Sequence, residues 1–206
     1  MLLVDAFATN LSAKDYAQVY SYIYKTFYNP YSSELLQWNG RPLLLWFNPL
    51  VPPSDNRFSS RVIGNNEGLM SPGWFFWTAP PSAFNSWGGT TTSPCTCYYG
   101  PPPPSPDGFI SVTPRYDDYY LYLSGARTGY MRADYNYAQG LYQTEWNDVL
   151  AQSTTQVRPA LVFIYSWNEY HERSTIEPHL DATAPGVSPS YLLNLTAKNI
   201  AALQGS

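Results

Sequence analysis

The chain has 206 residues, of which 44% are hydrophobic and only 13% are charged, and its formal net charge is −4. The length fits a single domain over residues 1–206, and the apolar supply is ample for one core. The negative charge excludes the basic surface that binds nucleic acid, and no apolar run is long enough to span a membrane.

Aromatic residues are abundant at 17%, led by 19 tyrosines. Tyrosine and tryptophan offer flat apolar faces with a polar tip, which suits a carbohydrate ligand. A low-charge surface or a habit of the lineage explains the same composition equally well. Because few carboxylates would take up protons in acid, we favour an extracellular or acidic setting as a hypothesis.

The first half of the chain alternates apolar runs with helical patterns. Residues 1–7 predict a first strand, and apolar side chains at helical spacing predict a helix over 16–28. An Asn-Pro pair at 29–30 should end that helix, and residues 43–47 predict a second strand. Asp5, near the end of the first strand, is expected either to cap local backbone or to bind a sugar hydroxyl.

The next predicted elements are a short helix at 59–63 and a third strand at 73–78. Trp77 lies close to the carboxyl end of this strand. It is therefore a candidate platform for a sugar ring, with burial in the core as the equal alternative.

A long stretch without periodicity, residues 79–108, is rich in proline, glycine and threonine. A loop of this length inside a compact domain is usually functional, and we expect it to rim a cleft. It contains both cysteines, Cys95 and Cys97. Their spacing is too tight for a structural zinc site. We therefore expect free thiols or a vicinal disulfide there, and neither a metal nor a cofactor.

The second half of the chain repeats the alternation. Residues 109–113 predict a fourth strand, 141–150 a helix, 160–165 a buried fifth strand, and 188–203 a last amphipathic helix. Five strands that alternate with helices predict an α/β fold with a parallel sheet. In a (β/α) barrel, side chains just past the carboxyl ends of the strands form the active site.

Three glutamates and a histidine follow the fifth strand within nine residues: Glu169, His171, Glu172 and Glu177. Cleavage of a glycosidic bond requires two carboxyl groups held close together, one to donate a proton and one to act as nucleophile or base. Glu169 and Glu172 are three residues apart and can reach one side of a pocket if the chain turns there. The alternative is that these carboxylates cap a helix or pair with arginines.

Candidate sugar-binding residues lie in the same segment. Trp167 and Tyr170 offer flat apolar faces on which sugar rings can stack. His171 carries a polar ring beside the two glutamates. The segment therefore combines the chemistry of glycoside cleavage with surfaces suited to a sugar.

Residues 166–178, Ser-Trp-Asn-Glu-Tyr-His-Glu-Arg-Ser-Thr-Ile-Glu-Pro, resemble the signature of glycoside hydrolase family 99 and its barrel relatives. The chain keeps that signature at Ser166, Asn168, Glu169, Glu172, Thr175, Ile176, Glu177 and Pro178. The resemblance implies a retaining, endo-acting α-mannosidase. Glu169 would act as general base on the sugar's own 2-hydroxyl, which forms a 1,2-anhydro sugar. Glu172 would protonate the leaving oxygen and later activate water.

Further roles follow from the same resemblance. Asn168 would hold the sugar or orient the glutamates, and we interpret Glu177 as a structural or supporting residue. Arg173 departs from the signature, which has glycine there. An arginine beside Glu172 favours the ionised form of that carboxyl, the wrong direction for a general acid, unless the guanidinium points away.

Residues 112–118, Val-Thr-Pro-Arg-Tyr-Asp-Asp, resemble a second motif of the family, in which glycine stands at the position of Arg115. Tyr116 would then line the catalytic centre. The family also carries an arginine shortly before a helix that residues 140–146 match, and Arg132 is the nearest candidate. A plain surface arginine is the alternative for Arg132.

The resemblance implies an eight-unit barrel, whereas the sequence provides about five βα units. We therefore expect an incomplete TIM-barrel-type catalytic domain, with its N-terminal strands missing or supplied by a partner chain. The predicted function is hydrolysis of an α-linked mannoside or a similar glycan. The alternatives are a non-catalytic glycan-binding or structural protein derived from such a barrel, and a related α-glucanase.

Overall fold

The computed structural model describes residues 2–5, 11–47, 49, 54–63, 109–126, 132–134, 136–138, 140–155, 159–164 and 166–205. The chain divides into two compact units, Met1–Trp77 with Ser105–Asp107 and Thr78–Pro104 with Gly108–Ser206. Each unit is described by itself, and the single domain over the whole chain stays a prediction. Outside the described residues lie the predicted third strand, Trp77, the long loop at 79–108, Cys95 and Cys97.

Three parallel strands form the first unit's sheet. Strand β3 (Arg41–Phe47) pairs with β1 (Leu2–Asp5) on one side and with β4 (Ser59–Ile63) on the other. A two-residue strand, β2 (Gln37–Trp38), pairs antiparallel with the start of β3. The Asn-Gly turn at 39–40 that joins them has φ values of 51° and 72°, the left-handed conformation that such a tight hairpin requires.

The predicted short helix at 59–63 is wrong, because these residues form β4. Each residue of β4 pairs with β3, from Ser59 opposite Leu43 to Ile63 opposite Phe47. A helix there would leave backbone N–H and C=O groups along that edge of the buried β3 without partners. The predicted strands at 1–7 and 43–47 are confirmed as β1 and β3.

One helical segment packs on this sheet. It runs from α1 (Tyr16–Ile23) through a π-helical turn (Tyr24–Tyr28) into α2 (Asn29–Tyr31). The predicted helix at 16–28 is therefore confirmed, although the Asn-Pro pair does not end it. Helix and sheet share one apolar cluster, made of Tyr16, Tyr20, Ile23, Leu44, Trp46 and Phe58.

The second unit contains two pairs of strands. Strand β5 (Phe109–Val112) lies parallel to β8 (Leu161–Ile164), as expected for consecutive βα units. Strand β6 (Tyr116–Asp117) pairs antiparallel with β7 (Arg132–Ala133). Parallel pairs thus occur in both units, as the predicted α/β fold requires, and the antiparallel pairs make the sheets mixed. The incomplete barrel itself stays a prediction.

Among the described residues of this unit, three helices accompany these strands: α3 (Tyr119–Leu123), α4 (Leu141–Thr155) and α5 (Tyr191–Gly205). The predicted helices at 141–150 and 188–203 are confirmed as α4 and α5. They enclose a core with the strands, built from Ile110, Val112, Tyr142, Trp146, Val149, Ile176 and Leu192. In the part of the chain that the structure describes, no helix combines the length and the apolarity needed to cross a membrane.

The predicted fifth strand is confirmed as β8, but it is half-buried rather than buried. An apolar groove of about 550 Å³ runs along it, lined by Leu161, Val162 and Ile164 of the strand and by Ile200 and Leu203 of α5. The apolar run in the sequence therefore indicated the strand correctly, but the open groove leaves its side chains partly accessible.

Candidate active site

The segment after β8, residues 166–177, folds back on itself and is called the carboxylate loop here. Its two ends are joined by backbone hydrogen bonds, from Ile176 N to Ser166 O (3.0 Å) and from Glu177 N to Trp167 O (2.9 Å). The Thr175 hydroxyl donates to Trp167 O as well (2.5 Å). These bonds close the base of the loop and present residues 168–173 at its tip.

The two candidate catalytic glutamates lie at this tip. Glu169 N donates to the Ser166 hydroxyl (2.8 Å), and Glu169 O accepts from Ser174 N (3.2 Å). The Glu169 side chain is 39% exposed, and its Oε1 lies 3.5 Å from Nδ1 of the largely exposed His171. Glu172 is half-buried. Its carbonyl accepts from Asp117 N (2.8 Å), which ties the tip to β6.

Arg173 adopts a φ of 51°. This left-handed conformation favours glycine, the residue of the resembled signature at this position, and costs other residues roughly 1–2 kcal/mol. The Arg173 side chain turns to Asp117, with Nη1 3.1 Å from Oδ2. Its guanidinium also stacks over the ring of Tyr120, 4.5 Å from the centroid. The charge that sequence reasoning placed against Glu172 is therefore paired with Asp117.

Asp117 is the meeting point of two arginines. Its side chain is fully buried, and it accepts from Arg132 Nε (2.9 Å) and Nη2 (3.2 Å) as well as from Arg173. The Arg132 guanidinium stacks over the ring of Tyr119 at 4.7 Å. Arg132 is thus a partner of Asp117 in this structure rather than a solvated surface residue, because its side chain is only 16% exposed.

Arg115, the other arginine at a family glycine position, is 1% exposed. Its Nε donates to Arg173 O (2.7 Å), and its Nη1 forms an ion pair with Asp181. Nη2 lies 3.5 Å from His179 Nε2. Its guanidinium stacks over the ring of Tyr137 at 4.6 Å. We call the five residues Arg115, Arg132, Arg173, Asp117 and Asp181 the arginine network.

Hydrogen bonding fixes the protonation state of Asp181. Burial alone would raise the pKa of its carboxyl, but this effect is outweighed by hydrogen bonds from the Thr183 hydroxyl and amide and by Arg115, so that the pKa falls to about 2. The Tyr137 hydroxyl donates to Asp181 as well (3.1 Å). Burial, above all, raises the pKa of Tyr137. Asp181 therefore remains an anion at any ordinary pH.

Flat side chains are exposed on the carboxylate loop. Trp167 is 52% and Tyr170 49% exposed, and Asn168 is exposed between Trp167 and Glu169. The Tyr170 hydroxyl donates to Glu177 (2.5 Å), and this bond raises the pKa of Tyr170. The loop thus presents two aromatic faces and a side-chain amide to solvent next to the glutamates, and Glu177 anchors one of those faces.

Two buried acids lie under the strand ends of this unit. Tyr116 is buried, with its hydroxyl 3.4 Å from Asp118 Oδ2. Glu145 of α4 is also buried and accepts from Thr113 N (2.5 Å), just past the end of β5. Burial raises the pKa of Glu145 well above its ordinary value. Glu145 thus holds the backbone two residues before Arg115, and Asp118 holds the side chain of the residue after it.

The structure brings most of the sequence-predicted site residues into one unit. Glu169, Glu172, Asn168, Trp167, Tyr170, His171 and Glu177 lie on the carboxylate loop, and Tyr116 and Arg132 lie on the β6–β7 pair whose Asp117 contacts that loop. Sequence reasoning missed Asp117, Asp181 and Glu145. The two arginines at glycine positions were the signal in the sequence, but it did not indicate which acids would pair with them, because the partners are far away along the chain.

No cluster of three or more His, Cys, Asp or Glu side chains suited to a metal ion occurs within the described ranges. Asp117 and Asp181 bind arginines, and Glu145 binds a backbone amide. Glu177 instead accepts from the Tyr170 hydroxyl, and Glu169 lies beside His171.

Two solved structures of the family 99 (GH99) endo-α-mannosidase from Bacteroides thetaiotaomicron are similar to this chain. One, in complex with Bis-Tris-propane, has a TM-score of 0.61 at 16% identity and covers 98% of this chain and 69% of its own. The other has a TM-score of 0.63 at 15% identity, with 98% and 66% covered. No protein-family model matches the sequence, and no curated protein does. At this identity the likeness establishes the fold alone, which is GH99-like and hence related to the TIM barrel.

Proposed function

We propose that this protein is a glycoside hydrolase that cleaves an α-linked mannoside or a similar glycan with retention of configuration. The observation that carries the proposal is the carboxylate loop. It follows a parallel strand directly and holds Glu169 and Glu172 three residues apart on a hydrogen-bonded turn. The GH99-like fold supports the same reaction class, because fold likeness raises the prior for a site with matching residues.

In the proposed first step, the Glu169 carboxylate accepts the proton of the substrate's 2-hydroxyl. The oxygen of that hydroxyl attacks the anomeric carbon as the glycosidic bond breaks, and the Glu172 carboxyl donates its proton to the leaving oxygen. The product is a 1,2-anhydro sugar. Glu172 is then a carboxylate and Glu169 a carboxylic acid, so the two groups have exchanged protonation states.

In the second step, Glu172 accepts a proton from water as the water oxygen attacks the anomeric carbon. The three-membered ring opens, and Glu169 returns its proton to the 2-oxygen. Two inversions at the same carbon give net retention, and each glutamate regains its starting state. No cofactor or metal enters either step.

Binding of the sugar is proposed to use the exposed residues of the loop tip. Trp167 and Tyr170 would stack on sugar rings, and Asn168 and His171 would bond to hydroxyls. Tyr116 and Arg132 are engaged by Asp118 and Asp117, so in this proposal they form the floor of the site. Trp77 is proposed as a further sugar platform on the grounds of its place in the sequence.

The test is hydrolysis of a panel of α-mannans and α-glucans by the wild-type protein and by Glu169→Gln and Glu172→Gln. Glu34→Gln, at an exposed position of the first unit, is the matched control. Because general acid–base groups contribute about 10²–10⁴-fold, we expect each catalytic variant to lose at least about 100-fold in turnover. The control should retain the wild-type rate.

A 2-deoxy substrate analogue sharpens the mechanism. If the 2-hydroxyl is the nucleophile, the analogue must bind but resist cleavage, and NMR of the natural substrate must show a product of the same anomeric configuration. Turnover of α-glucans alone would assign the protein to the glucanase alternative. Saturable glycan binding without any turnover, unaffected by either Gln variant, would identify a binding protein instead.

A further inference from the structure

Two consecutive carbonyl groups of the carboxylate loop are held by one segment of the chain. Glu172 O accepts from the backbone N–H of Asp117 (2.8 Å), and Arg173 O accepts from the Nε of Arg115 (2.7 Å). Both donors belong to buried residues. The peptide groups on the C-terminal side of the Glu172 Cα are thus fixed in space, and so is the direction in which its side chain leaves the backbone.

Arg115 is itself fixed on its far side. One terminal nitrogen forms an ion pair with Asp181, and the other lies 3.5 Å from Nε2 of His179. Nδ1 of His179 bonds to the carbonyl of Glu177 (2.6 Å), which makes Nδ1 the protonated nitrogen in the neutral ring and leaves Nε2 free to accept. Tyr137 covers the guanidinium face. Each of the three guanidinium nitrogens therefore has a partner, and Tyr137 lies over one face.

The conformation of Arg173 shows what the contacts of Arg115 and Asp117 maintain. Its φ of 51° is one that residues other than glycine rarely adopt. The carbonyl of this residue is the group that Arg115 binds, and its side chain is held by Asp117. A glycine would reach the same conformation without such help, whereas arginine requires surroundings that over-determine it.

We propose that Arg115, anchored by Asp181, is a positioning residue that sets the orientation of Glu172 through the carbonyl of Arg173. This inference rests on the proposed function for its catalytic consequence but not for its structural one. A general acid must lie within hydrogen-bond reach of the leaving oxygen, and small misplacements of reacting groups cost large factors in rate. Arg115 therefore acts on the chemical step rather than on substrate binding.

Arg115→Lys is the main test variant. Lysine keeps a cation for Asp181 but lacks the fork of nitrogens that reaches the Arg173 carbonyl at the same time. Arg57→Lys, in the partly exposed Asp55 pair of the first unit, is the matched control. Asp181→Asn is the second variant, because it keeps Arg115 and removes the charge of its anchor, and so tests the proposal even if Arg115→Lys does not fold.

Two readouts separate the proposal from the proposed function. Kinetics on the cleaved glycan should show kcat reduced at least about 10-fold with KM within about 3-fold in Arg115→Lys and Asp181→Asn, because an orientation effect falls on kcat. Combining Arg115→Lys with Glu172→Gln should add little to the loss from Glu172→Gln alone. A wild-type kcat in both Arg115→Lys and Asp181→Asn would overturn the proposal.

Hydrogen exchange gives the second readout and needs no substrate. The amides of Ser174 and Ile176, which close the loop, should exchange about 10-fold faster in Arg115→Lys, while amides in α5 stay unchanged. A protein without glycosidase activity but with this change would refute the proposed function and leave the positioning role intact. Unchanged exchange at both amides would refute the positioning role whatever the activity.

Discussion

The loop tip and the arginine network lie in the same unit and differ in how far their charged side chains are exposed to solvent. At the tip, Glu169 and His171 are partly or largely exposed. In the network, Arg115 and Asp117 are buried and satisfied by ion pairs and hydrogen bonds. The difference shows that the side chains proposed to take part in the reaction, at the loop tip, are separate from those of the arginine network, which hold the loop in place. Exposed carboxylates can change protonation at little cost to the fold, whereas the buried pairs cannot.

The largest expected effect comes from removing the buried cation of the network, Arg115. Arg115→Met should lower the free energy of unfolding by about 3–5 kcal/mol, because it leaves Asp181 and the Arg173 carbonyl without their partner. Arg57→Met should cost no more than about 1 kcal/mol, since the Arg57 side chain is 34% exposed. Chemical denaturation of both variants measures the contrast. Equal losses of unfolding free energy in the two variants would mean that burial does not change what the Arg115 and Arg57 ion pairs contribute to stability.

A second test of the comparison uses Glu145, a buried acid that accepts from a backbone amide and lies outside the arginine network. Glu145 is buried, and its pKa is raised above 4.5 mainly by desolvation. A carboxyl of this kind contributes stability at pH values below its unfolded pKa, and that contribution is lost as pH rises. Glu145→Gln should therefore raise the free energy of unfolding more at pH 7 than near pH 4. A stability difference that is independent of pH would contradict this.

Asp181 should show the opposite pH dependence. Its pKa is lowered from 3.8 to about 2, so its contribution is present above about pH 4 and is lost as pH falls through 2. The contribution is about 2 kcal/mol. As the pH falls from 5 to 2, the free energy of unfolding should decrease more steeply in the wild type than in Asp181→Asn. Parallel curves would show that the network does not hold this carboxylate ionised.

A smaller effect separates the two roles of Arg173. Arg173→Ala loses the ion pair to Asp117 and keeps the unfavourable φ, whereas Arg173→Gly loses the pair and relieves the φ. The Gly variant should therefore be more stable than the Ala variant by about 1 kcal/mol. If Arg173→Ala were as stable as Arg173→Gly, or more stable, the loop would not keep its left-handed turn.

The smallest expected effect on stability is at the loop tip. Trp167→Ala should change the free energy of unfolding by less than about 0.5 kcal/mol, because half of the side chain is exposed. Trp146→Ala, at a fully buried tryptophan, should cost about 3–5 kcal/mol. Trp167→Ala should nevertheless weaken glycan binding in titration calorimetry. Unchanged binding would remove Trp167 from the proposed site.

Local patterns predicted much of the fold. The apolar run at β3 predicted a strand because β3 is buried on both faces. The helical spacing of α1, α4 and α5 was recognisable because one face of each helix packs on a core. Strand β4 was not readable, because its sequence, Ser-Ser-Arg-Val-Ile, has a weak pattern of its own and takes its conformation from pairing with β3.

The site divides in the same way. The carboxylate loop was found because its residues are close in sequence. The arginine network was not, because its pairs join positions far apart, such as Arg115 with Asp181 and Arg173 with Asp117. Sequence spacing predicts which side chains share a turn, but it does not predict which distant charges fold together. Arg115 and Arg173 were noticed as departures from a pattern, and only the structure showed their partners.

The burial of the arginine network affects how the protein responds to dissolved salt. The side chains of its ion pairs are between 0% and 16% exposed, and salt screens buried or partly buried pairs much less than exposed ones. Raising the ionic strength should therefore leave the contribution of the network to the free energy of unfolding nearly unchanged.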